Sequence, residues 1–159
     1  MNPFYRVDSR LVHGQIISTW MPHLHVKNFV IVSDTVPENT LQMSVFRMAI
    51  PQTANFVALS IADAVGWLNG HAHGNHPTMV LFETVDDAAR LFEAGHPFPY
   101  LNIGNVHHAP GRKAFTNAVY LGDTEVTLLK TMFGRGLRAE IRSLPTESPV
   151  DLRRALEVA

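Results

Sequence analysis

The sequence predicts an α/β fold: a doubly wound, mostly parallel sheet of about six to seven strands with helices on both faces. Three observations indicate this class. Short runs of β-branched and aromatic residues recur along the chain, segments with a helical spacing of apolar residues lie between them, and several strand-like runs are continuously apolar. Strands that alternate with helices form right-handed parallel βαβ units, so a sheet covered on both faces is expected.

Seven apolar runs are the predicted strands. They cover residues 4–7, 28–32, 55–59, 78–82, 100–104, 118–121 and 137–142. Runs such as 28–32 and 78–82 are apolar throughout, which is typical of strands that are buried on both sides.

Six segments between or after these runs predict helices, and most begin at a capping residue. The predicted helices cover residues 14–21, 38–49, 60–70, 84–95, 123–136 and 148–158. The first two repeat their apolar positions at i, i+3 and i+4. Ser60, Thr84, Asp123 and Ser148 are the predicted N-caps of the last four, and Pro149 occupies the first helical position after Ser148.

The composition excludes several classes of function. Thirteen basic and 14 acidic side chains give a formal net charge of -1, so no overall basic field indicates nucleic-acid binding. The absence of cysteine excludes disulfides, thiol catalysis and cysteine metal sites. Asp8 and Arg10 interrupt the N-terminal stretch where a secretory signal needs an apolar core, and no later stretch approaches the roughly 18 apolar residues of a membrane span. We therefore expect one domain over residues 1–159 and a cytoplasmic location.

The end of the first predicted strand carries an unusual density of charge. Arg6 and Asp8 are two residues apart and share one face of the strand, and Arg10 can rejoin them as the backbone turns. His13 follows just ahead of the first predicted helix. In an open parallel sheet, ligands bind beyond the carboxyl ends of the strands, so these four residues are the candidate site.

The start of the first helix predicts an anion site. Its first N–H groups, near Gly14 and Gln15, have no partner within the helix, and together with the helix dipole they favour a phosphate. Two arginines add contacts to phosphate oxygens. Asp8 is expected either to pair with an arginine or to bond one imidazole nitrogen of His13, leaving the other nitrogen free as a nucleophile. The pattern therefore predicts a histidine that is phosphorylated.

Three further residues are secondary candidates because they follow neighbouring strands. Asp34 comes after the second strand, and Gly104 and His107 lie at or after the fifth. The carboxyl ends of parallel strands meet at one edge of the sheet, so all three are expected on the same edge as His13.

Other functional patterns are weak or missing. The three histidines within residues 71–76 have no neighbouring acidic ligand, so no metal site is predicted. Ser9 lies too close to Asp8 and His13 in sequence to form a hydrolase triad, and the G-x-S-x-G elbow does not occur. Neither G-x-G-x-x-G nor G-x-x-x-x-G-K-S/T occurs, so no nucleotide cofactor is expected.

Residues 6–15 read R-V-D-S-R-L-V-H-G-Q, which resembles the pattern R-I/V-D-x-R-L-I/V-H-G-Q. This pattern is found in the IIB subunit of the mannose/fructose/sorbose family of the bacterial phosphoenolpyruvate-dependent sugar phosphotransferase system (PTS). Trp20 resembles the end of the first helix in that family, residues 91–113 resemble its E-A-G…N-I/V-G…H…G-R/K-K segment, and Pro145 ends a strand like its last one. The similarity runs along nearly the whole chain.

The resemblance implies a specific role for His13. It takes a phosphoryl group from a phosphohistidine of the IIA partner and passes it to a sugar imported through the membrane subunits IIC and IID, as a protein-phosphohistidine–sugar phosphotransferase. For such a transfer we expect Arg10 and Arg6 to neutralise the phosphoryl group and Asp8 to hold the arginines or the imidazole. No cofactor or metal is implied, and the protein is expected to associate peripherally with the inner face of the membrane.

Two other interpretations stay open on the sequence. A phosphohistidine relay or sensor module with a regulatory role would use the same His13 chemistry but would not transport sugar. A plain nucleotide-binding or structural α/β domain would not be phosphorylated. The sequence names neither the sugar nor the phosphorylated nitrogen, and it does not indicate an oligomeric state.

Overall fold

The computed structural model describes residues 2–158, which form one seven-stranded sheet, a small two-stranded sheet and the surrounding helices. The strands are β1 (Phe4–Asp8), β2 (Asn28–Val32), β3 (Asn55–Leu59), β4 (Thr78–Phe82), β5 (Tyr100–Asn105), β6 (Lys113–Ala114), β7 (Tyr120–Leu121), β8 (Arg138–Ile141) and β9 (Val150–Asp151). The main sheet has the order β3-β2-β4-β1-β5-β8-β9. All of its pairs are parallel except β8 with β9.

The helices lie on both faces of the main sheet, as predicted. They are α1 (Met21–Leu24), which continues a π-helical turn (Ile16–Trp20), then α2 (Thr40–Ala49), α3 (Ile61–Asn69), α4 (Val85–Glu93), α5 (Asp123–Gly134) and α6 (Leu152–Val158), with a 3-10 turn (Val36–Glu38) before α2. One apolar cluster joins the sheet to α3, α4, α5 and α6, and a second joins it to the first helix and α2. The doubly wound α/β architecture is therefore confirmed.

Local signals placed two helix starts correctly. The Ser60 hydroxyl accepts a hydrogen bond from the Asp63 N–H at 3.1 Å, and the Thr84 hydroxyl accepts one from the Asp87 N–H at 3.0 Å. Asp123 is instead the first residue of α5, and the N-cap is Gly122. The carboxylate of Asp123 therefore lies in the first turn, where it is favoured by the helix dipole.

Residues 118–121 do not form a strand of the main sheet. The two residues of β7 pair with β6 in an antiparallel hairpin, which the Phe115 N–H closes by donating to the Val119 carbonyl at 2.8 Å. Val119 and Leu121 are nonetheless buried against the core. The apolar run therefore marked burial rather than membership of the large sheet.

The last predicted helix begins three residues later than expected, at Leu152 instead of Pro149. Val150 and Asp151 pair antiparallel with β8 at the edge of the main sheet, so Ser148 caps nothing and α6 begins at Leu152. The Asp151 carboxylate accepts a hydrogen bond from the Arg154 N–H at 3.0 Å, which is a helix-capping contact.

The strand order positions the site. β1 lies in the middle of the sheet between β4 and β5, so its carboxyl end is enclosed by both neighbours. All residues of this strand after Phe4 are buried, including Asp8 at its carboxyl end, as expected for a strand covered on both faces. No helix of residues 2–158 is long and apolar enough to cross a bilayer.

The corrected start of α6 predicts which substitution weakens it. Asp151→Ala removes the capping contact and should lower the free energy of unfolding by about 1 kcal/mol. Ser148→Ala, at an exposed position before β9, should change it by less than about 0.5 kcal/mol. Urea denaturation of both variants checks this. A larger loss of stability for Ser148→Ala than for Asp151→Ala would indicate that the helix begins after Ser148, as the sequence predicted.

Candidate functional site

The carboxylate of Asp8 is the centre of the candidate site. Asp8 is the last residue of β1, and its side chain is fully buried. Its Oδ2 accepts a hydrogen bond from Arg6 Nη2 at 3.0 Å and lies 2.9 Å from His13 Nε2. Its Oδ1 accepts from the backbone N–H of Arg10 at 3.0 Å and from Arg10 Nε at 3.4 Å. One carboxylate thus contacts all three of the predicted basic side chains.

Arg6 lies beneath this carboxylate and is fully buried. Its Nη1 donates to Asn102 Oδ1 at 2.7 Å and to the Arg142 carbonyl at 3.2 Å, and its Nη2 also donates to the Ser143 carbonyl at 3.2 Å. Within the described chain only its Nε has no partner. Arg6 is therefore a support for Asp8, and the prediction that its guanidinium neutralises a phosphoryl group directly does not fit its depth.

Trp20 covers the other side of the Arg6 guanidinium. The Arg6 Cζ lies 5.1 Å from the centre of the Trp20 ring, a cation–π distance. The indole N–H donates to the Ser143 carbonyl at 2.8 Å, which attaches the first helix to the segment after β8. Phe4 stacks on the same ring at 5.1 Å between ring centroids. The buried cation is therefore enclosed by aromatic and carbonyl groups.

Gly104 provides the space that Arg6 occupies. A Cβ atom at this position would lie 2.0 Å from Arg6 Cζ, far inside contact distance. The register between β1 and β5 also shifts here, since Val7 pairs with Ile103 and Asp8 pairs with Asn105. Gly104 is thus the extra residue of a β-bulge, a device that redirects side chains near functional sites.

The turn after β1 places His13 next to the Asp8 carboxylate. The Leu11 N–H donates to the Asp8 carbonyl at 2.9 Å. Leu11 adopts a left-handed backbone conformation with φ of 57°, and its side chain is buried. The helix then starts at Gly14, as predicted, and the Ile17 N–H donates to the His13 carbonyl at 3.3 Å. His13 therefore stands at the helix N-terminus, with 15% of its side chain exposed.

Arg10 faces the solvent side of the same carboxylate. Its side chain is 43% exposed, and its Nη2 donates to Gln15 Oε1 at 3.3 Å. A cleft of about 390 Å³ opens beside Arg10 and Gln15, with Asn105, Asn117 and Ser143 among its lining residues. Arg10 and Gln15 therefore line a cleft that an incoming group can enter.

The buried charges depend on one another. Burial alone would raise the pKa of the Asp8 carboxyl, but the His13 hydrogen bond, the Arg6 charge and the Arg10 N–H hold that pKa below its usual value. Burial lowers the pKa of Arg6, and the neighbouring Asp8 charge opposes the shift. Asp8 is consequently an anion that is kept charged by its cationic neighbours.

The secondary candidates have separate places. Gly104 belongs to the site. The backbone N–H of His107 donates to the Ser9 hydroxyl at 3.1 Å, while its side chain is exposed and makes no described bond to Asp8 or His13. Asp34 follows β2, which β4 separates from β1, and its Oδ1 accepts from the Ile61 N–H at 2.9 Å while Oδ2 pairs with Arg90. Asp34 therefore joins α3 to α4 rather than contributing to the Asp8 cluster.

Two contributors were missed as site residues. Asn102 lies in the middle of β5, and Ser143 follows β8, so neither is near the histidine in sequence. A single amide within the run Y-L-N-I-G was a signal for Asn102, because an unpaired amide is costly in a buried strand. The Ser143 carbonyl is a backbone group, so no sequence pattern indicated it.

Comparison with known proteins identifies one family. Residues 3–159 match the family described as "PTS system sorbose subfamily IIB component". The fructose-specific EIIB component of Bacillus subtilis is 25% identical over 146 residues, which cover 92% of this chain and 90% of that protein. The mannose-specific EIIAB component of Escherichia coli K12 is 26% identical over 142 residues, which cover 89% of this chain but 44% of that protein.

A solved structure shows the same fold. The IIBSor domain of the sorbose permease from Klebsiella pneumoniae superposes with a TM-score of 0.91 at 22% identity, covering 100% of this chain and 98% of the other. The strand order described above is therefore that of a known architecture.

Gly104→Ala should displace Arg6 from its position under Asp8. The added Cβ overlaps the fully buried Arg6 guanidinium, so the free energy of unfolding should fall by about 2 kcal/mol or more. Gly66→Ala is the matched control, because its Cβ would meet no atom within 4 Å in the exposed face of α3. It should stabilise the protein by up to about 1 kcal/mol. Equal stability of Gly104→Ala and wild type in urea denaturation would contradict the packing.

Asp8→Asn should cost stability in a pH-dependent way. Because the folded-state pKa lies below the unfolded value of about 4, the ionised carboxylate stabilises the fold above that pH, and the contribution is lost as pH falls below it. The variant should be less stable by about 3 kcal/mol at neutral pH, since it leaves the buried Arg6 cation without its charged partner. The difference should narrow toward acid pH in denaturation curves. The exposed control Asp63→Asn should stay within about 0.5 kcal/mol throughout.

Proposed function

The chain belongs to the PTS sorbose-subfamily IIB component family, and from this premise we propose that His13 carries the phosphoryl group that the protein receives and delivers. A IIB component is a phosphotransferase of the sugar phosphotransferase system. The proposal assigns, for this chain, the atom that carries the phosphoryl group, the side chains that stabilise that group and the partners that exchange it.

The observation that carries the proposal is the contact between His13 and Asp8. Nε2 of the ring lies 2.9 Å from a buried, ionised carboxylate, so Nε2 bears the proton that donates to it. Nδ1 is then left with its lone pair. We assign the phosphoryl group to Nδ1, because it is the nucleophilic nitrogen of a ring that is held in one orientation and partly exposed.

Transfer proceeds by in-line displacement between nitrogen nucleophiles. The Nδ1 lone pair forms a bond to phosphorus while the phosphorus–nitrogen bond of the donor phosphohistidine breaks and its electron pair returns to the donor imidazole. Delivery reverses the role of His13: a sugar hydroxyl oxygen attacks phosphorus, the bond to Nδ1 breaks with its electron pair returning to the imidazole, and the hydroxyl proton passes to water. No change of oxidation state occurs, and alignment with charge stabilisation supplies the catalysis.

Two shells of positive charge support this chemistry. Arg10 is exposed enough to contact the phosphoryl oxygens, and the N–H groups at the helix start near Gly14 and Gln15 offer donors for the others. Arg6 holds the Asp8 carboxylate from below. Asp8 keeps the ring oriented and stabilises the positive charge that develops on it during the transfer.

The partners follow from the family and its relatives. The Escherichia coli relative is named as an EIIAB component, which supports a IIA protein as the phosphoryl donor. The acceptor is a sugar bound by the membrane subunits IIC and IID. On this proposal residues 1–159 act as one IIB domain at the inner, cytoplasmic face of the membrane.

His13→Ala tests the phosphorylation. Purified protein is incubated with a phosphorylated mannose-class IIA protein carrying ³²P, and acid-labile label on this chain is followed over time. Wild type should take up label, and His13→Ala should take up none. The proposal is refuted if wild type acquires no label, or if the variant is labelled as well as wild type. Adding membranes that contain IIC and IID should move the label to sugar. Label that stays on His13 in their presence would favour a regulatory relay.

Arg10→Ala should slow the labelling by about tenfold or more, because one charged contact to the phosphoryl group is lost. Lys113→Ala removes an exposed positive charge from β6 and serves as the matched control. Its labelling rate should stay within about twofold of wild type, since exposed charges away from a site interact weakly. The comparison is made by quench-flow at one concentration of phosphorylated IIA, and equal rates for the two variants would remove Arg10 from the site.

A further inference from the structure

A chain of hydrogen bonds runs behind the His13 ring from β8 to β1. Asn102 Nδ2 donates to Glu140 Oε1 at 3.3 Å, and Asn102 Oδ1 accepts from Arg6 Nη1 at 2.7 Å. Arg6 Nη2 and His13 Nε2 then share Asp8 Oδ2, at 3.0 and 2.9 Å. Three strands of the sheet therefore contribute to the orientation of one imidazole.

The amide of Asn102 is held in one of its two possible orientations. Its Nδ2 has two acceptors, the Glu140 carboxylate and the Arg142 carbonyl at 3.2 Å, and neither can donate to an amide oxygen. Its Oδ1 is thereby turned toward Arg6, whose guanidinium has donors only. Glu140 fixes the amide, and the amide fixes the guanidinium.

These polar groups are expensive for the fold. Asn102 is fully buried between Leu101 and Ile103, and Glu140 is 6% exposed. Burying an amide and a carboxylate costs free energy that hydrogen bonds recover only in part, and an apolar side chain at either position would pack without that cost. The pair directs the Arg6 guanidinium, whose Nη2 lies on the oxygen that also holds His13.

We propose that Asn102 is a positioning residue for phosphoryl transfer, with Glu140 as the group that orients its amide. It acts through Arg6 and Asp8 to keep the proton on Nε2 of His13 and Nδ1 free. This inference rests on the proposed function for its effect on rate, but its effect on the ring of His13 is independent of any phosphoryl donor.

A matched pair of substitutions tests the proposal. Asn102→Leu removes the amide from the chain. Asn28→Leu is the control, because Asn28 is also buried, donates Nδ2 to the His73 carbonyl and the Thr78 hydroxyl, and accepts from Asn55. Both variants lose comparable buried hydrogen bonds, so both should be less stable, but only Asn102 belongs to the chain that ends at His13.

The decisive measurement is the tautomer of His13 in the unphosphorylated protein. Long-range ¹H–¹⁵N spectra of ¹⁵N-histidine-labelled protein, at a pH where the ring is neutral, report which nitrogen is protonated, and the His13 signal is identified by its absence in His13→Ala. Wild type and Asn28→Leu should show the Nε2–H form. Asn102→Leu should show a mixture of the two forms. The Nε2–H form in folded Asn102→Leu would overturn the proposal.

Phosphorylation kinetics give the second readout. Asn102→Leu should lower the labelling rate at saturating phosphorylated IIA by about tenfold, the loss expected for one hydrogen bond to a charged group, without changing the half-saturating concentration. If Asn102→Leu does not fold, Glu140→Leu carries the test and should move the tautomer in the same direction. Failure of wild type to be phosphorylated would refute the proposed function, but it would not affect the tautomer measurement. A normal tautomer and rate in Glu140→Leu would overturn this inference alone.

Discussion

The buried carboxylate of Asp8 is the interaction on which the rest of the site depends. A lone anion at this depth would take up a proton, so it stays charged only because cationic and N–H donors surround it. One of these donors, Arg6, is itself a buried cation that needs acceptors for its own N–H groups. The demands of two opposite charges explain why a glycine, an amide and two backbone carbonyls converge on one point of the sheet.

The two arginines that bind Asp8 have different positions relative to solvent. The inner arginine never meets solvent, whereas Arg10, on the opposite oxygen of the same carboxylate, is exposed. On the proposed function, the inner ion pair can therefore keep its geometry while the phosphoryl group binds and leaves on the exposed side of the site. The central position of β1 makes this possible, because only a strand with neighbours on both sides can bury Arg6 and still end at an open edge.

The sequence predicted what local patterns encode. Apolar runs located six of the seven strands of the main sheet, all but β9, and the charged turn located Asp8 and His13. The misassignments have a common cause: residues 118–121 and 148–151 were assigned from propensity and capping signals, but pairing with distant residues decided their structure. The depth of Arg6 was beyond local reasoning for the same reason. Alternation along a strand tells which face a side chain takes, and only the packing of other elements tells how far from water it lies.

The Arg6 contacts also carry a consequence for how the protein folds. Arg6 bonds to groups 96, 136 and 137 positions away along the chain. Contacts of such long range form late, because closing large loops costs entropy before the contacts repay it. A growing or partly unfolded chain thus has its histidine long before it has the groups that orient the ring. On the proposed function, competence for phosphoryl transfer would therefore arise only once β8 has joined β5.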